Sequence, residues 1–205
     1  MANAFLLLHG WGGNKPGHWQ EHLARELAVA GHDVHYPKMS DPLNPEPQAW
    51  MDMLHTALSA IPADAELTVL THSLGAINWM HHAAMAQGMG ESRPGPQAAR
   101  VLLVAPPYVI REIPPLDLAG AAQFFPPPLD KAGMALVSRE TILVASDTDD
   151  YATFDQSSAY ADGLGIAPQK LAGAGHISPY YGYGAWPWAL DWALGRAFLP
   201  PQTNK

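Results

Sequence analysis

The run LTVLTHSLGA at residues 67–76 decides the fold class of this chain. Apolar residues with strand propensity lead into His72 and Ser73, and a helical pattern begins at Leu74. A serine on such a sharp strand-to-helix turn projects its hydroxyl from the edge of a sheet, with a helix N-terminus directly behind it. The run therefore predicts a nucleophile elbow. The usual form of this turn is G-x-S-x-G, and Thr71 stands in place of the first glycine.

Length and composition bound what the chain can be. With 205 residues and 48% hydrophobic content, we expect one globular domain over residues 1–199 and a flexible tail over residues 200–205. A net charge of -8 with only 11 Lys and Arg disfavours nucleic acid and membrane surfaces as partners. The absence of cysteine excludes disulfides, and we expect a cytoplasmic protein without a signal peptide or membrane span.

Strand and helix patterns alternate along the chain. The predicted strands cover residues 4–8, 33–36, 67–70, 100–105, 141–145 and 169–172. The predicted helices cover residues 19–30, 45–60, 74–87, 154–164 and 188–198. This alternation predicts an α/β fold, in which helices cover both faces of a mainly parallel six-stranded sheet as a three-layer α/β/α sandwich. The proline-rich segment 106–135 is expected to be a loop with short helices over the carboxyl edge of that sheet.

Three predicted strand ends carry side chains that suit acyl transfer. Ser73 follows the third strand, an acidic cluster at residues 147–150 follows the fifth, and His176 lies in a glycine-rich loop after the sixth. The carboxyl ends of parallel strands share one edge of the sheet, so we expect these groups to meet. A serine hydroxyl needs a base, an imidazole can be that base, and a carboxylate can orient the imidazole. The order Ser, Asp, His predicts a catalytic triad.

Two backbone amides are predicted to bind the oxyanion that this chemistry generates. One is the N–H of Leu74, at the start of the helix after the elbow, and the other is the N–H of Trp11 in the turn after the first strand. Aromatic side chains near the same edge are candidates for the substrate pocket. The predicted pocket residues are His72, Tyr108, Phe124, Phe125, Tyr180 and Tyr181.

Four motifs together resemble one known family. They are HGWGG at residues 9–13, THSLGA at 71–76, ASDTDDY at 145–151, and AGHIS at 174–178 followed by YGYGAWPWAL. They resemble the α/β-hydrolase superfamily, in particular the small YdeN-like or retinoblastoma-binding protein 9-like serine hydrolases. The resemblance covers most of the chain. It implies a minimal α/β-hydrolase without a large lid domain, with sheet order 2-1-3-4-5-6 and with no cofactor or metal.

The resemblance also bears on the acid of the triad. Members of the family end the fifth strand with S-x-x-D-P-Y, which aligns the catalytic acid with Asp149. Asp150 stands where the family commonly has proline, so it stays an alternative.

Two other kinds of site are disfavoured by their spacing. His18 and His22 are four residues apart, as in zinc sites, but the intervening residues do not form H-E-x-x-H. The glycine-rich turn at residues 10–15 departs from the dinucleotide motif G-x-G-x-x-G at Lys15.

The predicted function is hydrolysis of small carboxylic esters through an acyl-enzyme on Ser73, with His176 as base and Asp149 as acid. A small-molecule ester is then the expected partner of a monomer or small homo-oligomer. The lack of a lid domain predicts a preference for short acyl chains. Two alternatives stay open at this point: an interaction module of the same fold with little catalysis, and an amidase or lyase that uses the same triad.

Overall fold

Six parallel strands form one sheet in the computed structural model, which describes residues 3–108 and 116–200. The strands are β1 (Asn3–Leu8), β2 (Asp33–His35), β3 (Glu66–His72), β4 (Ala98–Val104), β5 (Ser138–Ser146) and β6 (Pro168–Leu171). Their order is β2-β1-β3-β4-β5-β6, and every neighbouring pair is parallel. The predicted α/β class and strand order are confirmed.

Helices cover both faces of this sheet. They are α1 (Trp19–Val29), α2 (Pro47–Ser59), α3 (Leu74–Met89), α4 (Lys131–Val137), α5 (Phe154–Leu164) and α6 (Pro187–Ala193). Helices α2 to α5 pack one buried cluster against the sheet, and α1 and α6 pack a second cluster against the other face. Alternate residues of β1 belong to opposite clusters. This is expected because successive side chains of a strand point to opposite faces of the sheet, and helices cover both faces here. The three-layer arrangement is therefore as predicted.

One short helix falls where the sequence predicts short helices, and one predicted helix end needs correction. Helix α4 begins inside the segment 106–135, because Asp130 caps it by accepting a hydrogen bond from the Gly133 N–H at 2.9 Å, and it continues past that segment to Val137. Helix α6 ends at Ala193 rather than residue 198, because Gly195 adopts φ +72° and turns the chain away from the helix.

Some predictions concern residues that the structure does not describe. Part of the proline-rich segment, residues 109–115, and the predicted tail beyond residue 200 lie outside the described ranges. Across residues 3–108 and 116–200, no helix has both the length and the apolar character needed to cross a bilayer.

Candidate active site

The elbow between β3 and α3 holds Ser73 in a strained conformation. Its φ of 53° and ψ of -124° lie outside the regions that non-glycine residues usually occupy. The Ser73 N–H donates to the Val104 carbonyl at 2.9 Å, so pairing with β4 continues through the serine. The Ser73 carbonyl then accepts from the Ala76 N–H at 2.9 Å as α3 begins. Strand pairing on one side and the helix on the other therefore hold the hydroxyl at the sheet edge.

Close backbone packing explains the glycines around the elbow. A Cβ added to Gly75 would lie 2.4 Å from the Leu8 carbonyl oxygen, and one added to Gly10 would lie 2.7 Å from the Ser73 Cβ. Thr71 is tolerated where glycine is usual because its hydroxyl donates to the Leu102 carbonyl at 3.1 Å. The threonine is fully buried within the sheet, so its extra atoms do not crowd the turn itself.

The contact at Gly75 predicts a large effect of one added methyl group. We expect Gly75→Ala to lower the free energy of unfolding by about 1–3 kcal/mol, because overpacking forces the backbones of α3 and β1 apart. The melting temperature should fall by roughly 2–10 °C for a chain of this size. Gly88→Ala is the matched control on the same helix, since its Cβ would meet no atom within 4 Å. Equal melting temperatures for the two variants would contradict this account of the elbow.

The structure brings Ser73, His176 and Asp149 into one hydrogen-bonded chain. The Ser73 Oγ lies 3.0 Å from His176 Nε2, so the hydroxyl can donate to that nitrogen. His176 Nδ1 lies 3.0 Å from both carboxylate oxygens of Asp149 and donates toward them. The Asp149 side chain is 2% exposed and that of His176 is 12% exposed. The arrangement has the geometry of a nucleophile, a base and an orienting acid.

Three side chains at the end of β5 hold the histidine loop next to the acid. Ser146 Oγ accepts from the Ala174 N–H at 2.9 Å, Asp147 Oδ1 from Gly173 at 2.8 Å, and Thr148 Oγ1 from Gly175 at 3.0 Å. The hydrogen bond from Gly173 is the main reason why the pKa of Asp147 is lowered. The loops after β5 and β6 are thus joined residue by residue, which sets the distance from Asp149 to His176.

Asp149 is the carboxylate that lies against the histidine, and Asp150 points elsewhere. Asp149 Oδ1 also accepts from the Tyr151 N–H at 2.9 Å. Asp150 is exposed, and its carboxylate accepts a hydrogen bond from the Tyr181 hydroxyl, which raises the pKa of Tyr181 to about 12. The ring of Tyr181 lies directly over Gly175, where a Cβ would come within 2.0 Å of it. Tyr181 therefore joins the acid loop to the histidine loop.

The two amides predicted to bind an oxyanion lie at the same edge. Trp11 lines the cavity next to Ser73, and Leu74 is the first residue of α3. Within the described residues, neither backbone N–H donates to a protein acceptor. The turn that carries Trp11 is anchored to residues 42–43 by two hydrogen bonds: the Trp11 indole N–H donates to the Leu43 carbonyl at 2.9 Å, and the Gly12 N–H donates to the Pro42 carbonyl at 2.7 Å. Both amides are therefore free to bind a substrate oxygen.

His9 supports this turn from within the protein. Its Nδ1–H donates to the Gly10 carbonyl at 2.8 Å, and its Nε2 accepts from the Met39 N–H at 3.0 Å. Burial lowers the pKa of His9, so the neutral ring that both hydrogen bonds require is the stable form.

A row of imidazole rings extends from His176 into the protein. The rings of His176 and His72 are 4.9 Å apart, and those of His72 and His18 are 4.7 Å apart. His72 Nε2–H donates to the His176 carbonyl at 2.9 Å, so it supports the backbone of His176. Burial, followed by the neighbouring histidines, holds the pKa of His72 well below its usual value. Burial likewise lowers the pKa of His18 to about 3.

Sequence reasoning missed two polar side chains that organise this edge. Gln20 is fully buried, and its amide donates to the Leu8 and Leu70 carbonyls at 3.0 and 3.1 Å, at the ends of β1 and β3. Asn14 in turn donates to the Gln20 side-chain oxygen at 2.9 Å. The local sequence does not predict these buried hydrogen bonds, because a polar residue near the start of a helix is usually exposed to solvent.

A cavity of about 320 Å³ opens onto Ser73. Its walls come from residues 10–15, 72–73 and 178–180, with His18, Leu43, Tyr151 and His176. The Tyr151 ring packs 4.5 Å from the His176 ring and closes one side. Such a volume is at the lower end of the range for small-molecule sites.

Only two of the six predicted pocket residues line this cavity, namely His72 and Tyr180. Phe124 is fully buried in the core, where its ring packs 5.5 Å from that of Trp50, so it is wrong as a pocket residue. Tyr108 packs against Tyr160 at 4.9 Å, and Phe125 packs against the same core. Aromatic character alone did not distinguish core from pocket, because both environments bury large rings.

Comparison with known proteins decides the family. The profile of one family, described as serine hydrolase, matches residues 5–193. The chain belongs to the serine hydrolase family. The expected relationship to α/β-hydrolases is thereby confirmed, and the chain is a hydrolase by family. A search of curated protein sequences finds no match.

Solved structures support the same fold. The ydeN gene product of B. subtilis has a TM-score of 0.75 and 19% identity, covering 95% of this chain and 98% of that chain. A protein described as a YdeN-like hydrolase from Pectobacterium atrosepticum has a TM-score of 0.66 and 20% identity, covering 93% and 88%. Est1E from Butyrivibrio proteoclasticus has a TM-score of 0.60 and 14% identity, covering 85% and 80%. At these identities the likeness shows the fold alone.

Proposed function

We propose that this serine hydrolase cleaves small carboxylic esters through an acyl-enzyme on Ser73. The observation that carries the proposal is the hydrogen-bonded chain from Ser73 Oγ through His176 to Asp149, with 3.0 Å between heavy atoms at each link. An imidazole between a hydroxyl and a buried carboxylate is the arrangement that activates a weak nucleophile.

The reaction follows from the roles of these groups. Ser73 Oγ bonds to the ester carbonyl carbon while its proton moves to His176 Nε2, and the carbonyl electrons move onto the oxygen. The Trp11 and Leu74 amides stabilise that oxyanion. As the bond to the leaving alcohol breaks, His176 gives the proton to the departing oxygen. Water then attacks the acyl-enzyme by the same route, which releases the acid and restores the Ser73 hydroxyl.

The size of the cavity favours short acyl groups. A volume of about 320 Å³ can hold an acetyl or butyryl group with a small leaving alcohol, and the further methylenes of a longer chain would lie outside it. Tyr180 is 88% exposed, so it offers a long chain little enclosed apolar surface. Burial of additional methylenes would then contribute little to transition-state binding.

A panel of p-nitrophenyl esters tests this preference. We expect kcat/KM to be highest for acetate or butyrate and to gain nothing further for decanoate, because methylenes that lie outside the enclosed volume stay in solvent and add little to transition-state binding. Butyryl p-nitroanilide, run alongside, separates ester from amide cleavage. Faster turnover of decanoate than of butyrate contradicts the acyl-size proposal, and faster turnover of the anilide contradicts the ester proposal.

The remaining partner predictions belong to the same proposal. We propose a small-molecule ester as the partner rather than nucleic acid or membrane, for a cytoplasmic monomer or small homo-oligomer. The net charge of -8 supports the exclusion of nucleic acid.

A further inference from the structure

The side chain of Gln20 joins two strand ends that lead into different parts of the active site. Its Nε2 donates to the Leu8 carbonyl of β1 at 3.0 Å and to the Leu70 carbonyl of β3 at 3.1 Å. The Trp11 amide follows Leu8 by three residues, and Ser73 follows Leu70 by three residues. One buried amide group therefore ties the strand before the predicted oxyanion donor to the strand before the nucleophile.

The same amide holds the far end of the turn that carries Trp11. Its Oε1 accepts a hydrogen bond from Asn14 Nδ2 at 2.9 Å, and that Nδ2 also donates to the Tyr36 hydroxyl, which follows β2. A primary amide has two N–H donors and one acceptor oxygen, which matches these three contacts of Gln20. The turn is thus bound to Gln20 at both of its ends, through Leu8 before it and through Asn14 at its close.

Gln20 itself is held in place and does not touch the substrate cavity. The residue is fully buried, and its N–H donates at 3.2 Å to Nδ1 of His18, which caps the start of α1. A shift of this side chain would break several buried hydrogen bonds that water cannot replace. Among the described residues, those that line the cavity next to Ser73 do not include Gln20. Any effect of Gln20 on the reaction therefore passes through the groups that it holds.

We infer that Gln20 is a positioning residue for the oxyanion hole, because it sets where the Trp11 N–H lies relative to Ser73 and the Leu74 N–H. This inference rests on the proposed esterase function and deepens it. Oxyanion donors act when they lie about 2.7–3.1 Å from the developing oxyanion. A displaced turn therefore weakens binding of the transition state more than binding of the substrate, and a misplacement of about 1 Å can cost roughly 100-fold in rate.

A transition-state analogue tests the inference. Trifluoromethyl propyl ketone carries the chain of a butyryl group, and its hydrated carbonyl is replaced by a hemiketal oxyanion when a serine attacks it. Gln20→Met keeps a similar side-chain volume and removes the amide. We expect the Ki of the ketone to rise roughly 10- to 100-fold, and kcat for p-nitrophenyl butyrate to fall by a similar factor, with KM within about 3-fold of the wild type. Ki and KM do not depend on the fraction of folded enzyme, so a loss of stability alone does not move their ratio.

Two further variants separate positioning from packing. Asn14→Ala removes only the bond from Gln20 to the close of the turn, and we expect it to raise Ki/KM by roughly 3- to 10-fold. Asn14 also lines the cavity, but the ketone and the ester share the butyryl chain, so lost contacts with that chain cancel in the ratio. Gln97→Met is the matched control, because Gln97 Nε2 donates to the Ala135 carbonyl at 2.8 Å and neither residue lines the cavity. Its Ki/KM should equal that of the wild type.

The measurements distinguish failure of the inference from failure of the proposed function. A wild-type value of Ki/KM in folded Gln20→Met overturns the inference, since the amide then serves only to pair buried carbonyls. If Gln20→Met does not fold, an unchanged ratio in Asn14→Ala overturns it instead. A wild type that cleaves p-nitrophenyl butyrate without being inhibited by the ketone overturns it as well, and in each of these cases the esterase function stands. A folded wild type that cleaves no ester refutes the proposed function, and the inference fails with it.

Discussion

Ser73→Ala is expected to abolish covalent labelling by a fluorophosphonate and to lower kcat for p-nitrophenyl butyrate by roughly 10⁴- to 10⁶-fold. The reason is that the Ser73 Oγ, 3.0 Å from His176 Nε2, is the only atom of this chain that would form the acyl bond in the proposed mechanism. Alanine has the same backbone restriction as serine at φ 53°, so the elbow should keep its shape. In-gel fluorescence of the labelled protein and stopped assays of ester cleavage measure the two effects.

Ser59→Ala is the matched control for this experiment. Ser59 is an exposed serine at the end of α2 and is not among the residues that line the cavity next to Ser73, so its hydroxyl has no part in the proposed chemistry. Labelling of Ser73→Ala at the level of Ser59→Ala would show that the probe reacts elsewhere. A wild-type protein that is folded but resists the probe would remove the basis for a serine nucleophile.

Asp149→Asn is expected to lower kcat by about 10³- to 10⁴-fold with little change in KM. The asparagine amide can present an N–H to His176 Nδ1 and so favour the tautomer that cannot accept the serine proton. The position is nearly inaccessible, since the Asp149 side chain is 2% exposed, so water cannot replace the carboxylate as the partner of the imidazole. Steady-state kinetics on butyrate and acetate esters measure the split between kcat and KM.

Asp150→Asn is the control, because it changes the neighbouring carboxylate in the same loop. Asp150 is exposed and accepts from Tyr181, and an asparagine oxygen can still accept that hydrogen bond. We expect kcat within about 5-fold of the wild type, since a neutral hydrogen bond differs from a charge-assisted one by roughly 1 kcal/mol at most when exposed to solvent. A larger loss of kcat in Asp150→Asn than in Asp149→Asn would reverse the assignment of the acid.

The strands and the reacting residue types could be predicted because they depend on short-range patterns. The run at 67–76 changes from strand to helix at one serine, and continuous apolar runs mark the buried parts of the strands at residues 4–8 of β1, 101–104 of β4 and 142–145 of β5. The limits of α5 were predicted to the residue, since Thr153 and Gln156 form a capping box and Gly165 ends the helix in a left-handed conformation. By contrast, α4 is short and its start depends on one aspartate cap in a proline-rich segment.

The pocket could not be predicted in the same way. Phe124 and Tyr180 are both aromatic and were both predicted to line the pocket, yet one is fully buried and the other is 88% exposed. Their difference arises from which helices pack over each of them, which is a property of contacts far apart in the chain. The cavity residue His18 was weighed only as one half of a zinc-like pair, because sequence spacing does not show that its Nδ1 caps a helix and that its Nε2 is left without a partner.

By itself, the sequence determined the parallel α/β fold, the elbow serine and the chain order of serine, acid and histidine, since these follow from local periodicity and from the rule that parallel strands end at one edge. Only the tertiary structure decided which carboxylate meets His176. Asp149 and Asp150 are adjacent and chemically identical, and hydrogen bonds from residues 173–175 to the side chains of residues 146–148 turn one toward the imidazole and leave the other in solvent. The orientation of the two carboxylates therefore depends on hydrogen bonds between two loops that are 27 residues apart in the chain, and a local sequence pattern does not contain that information.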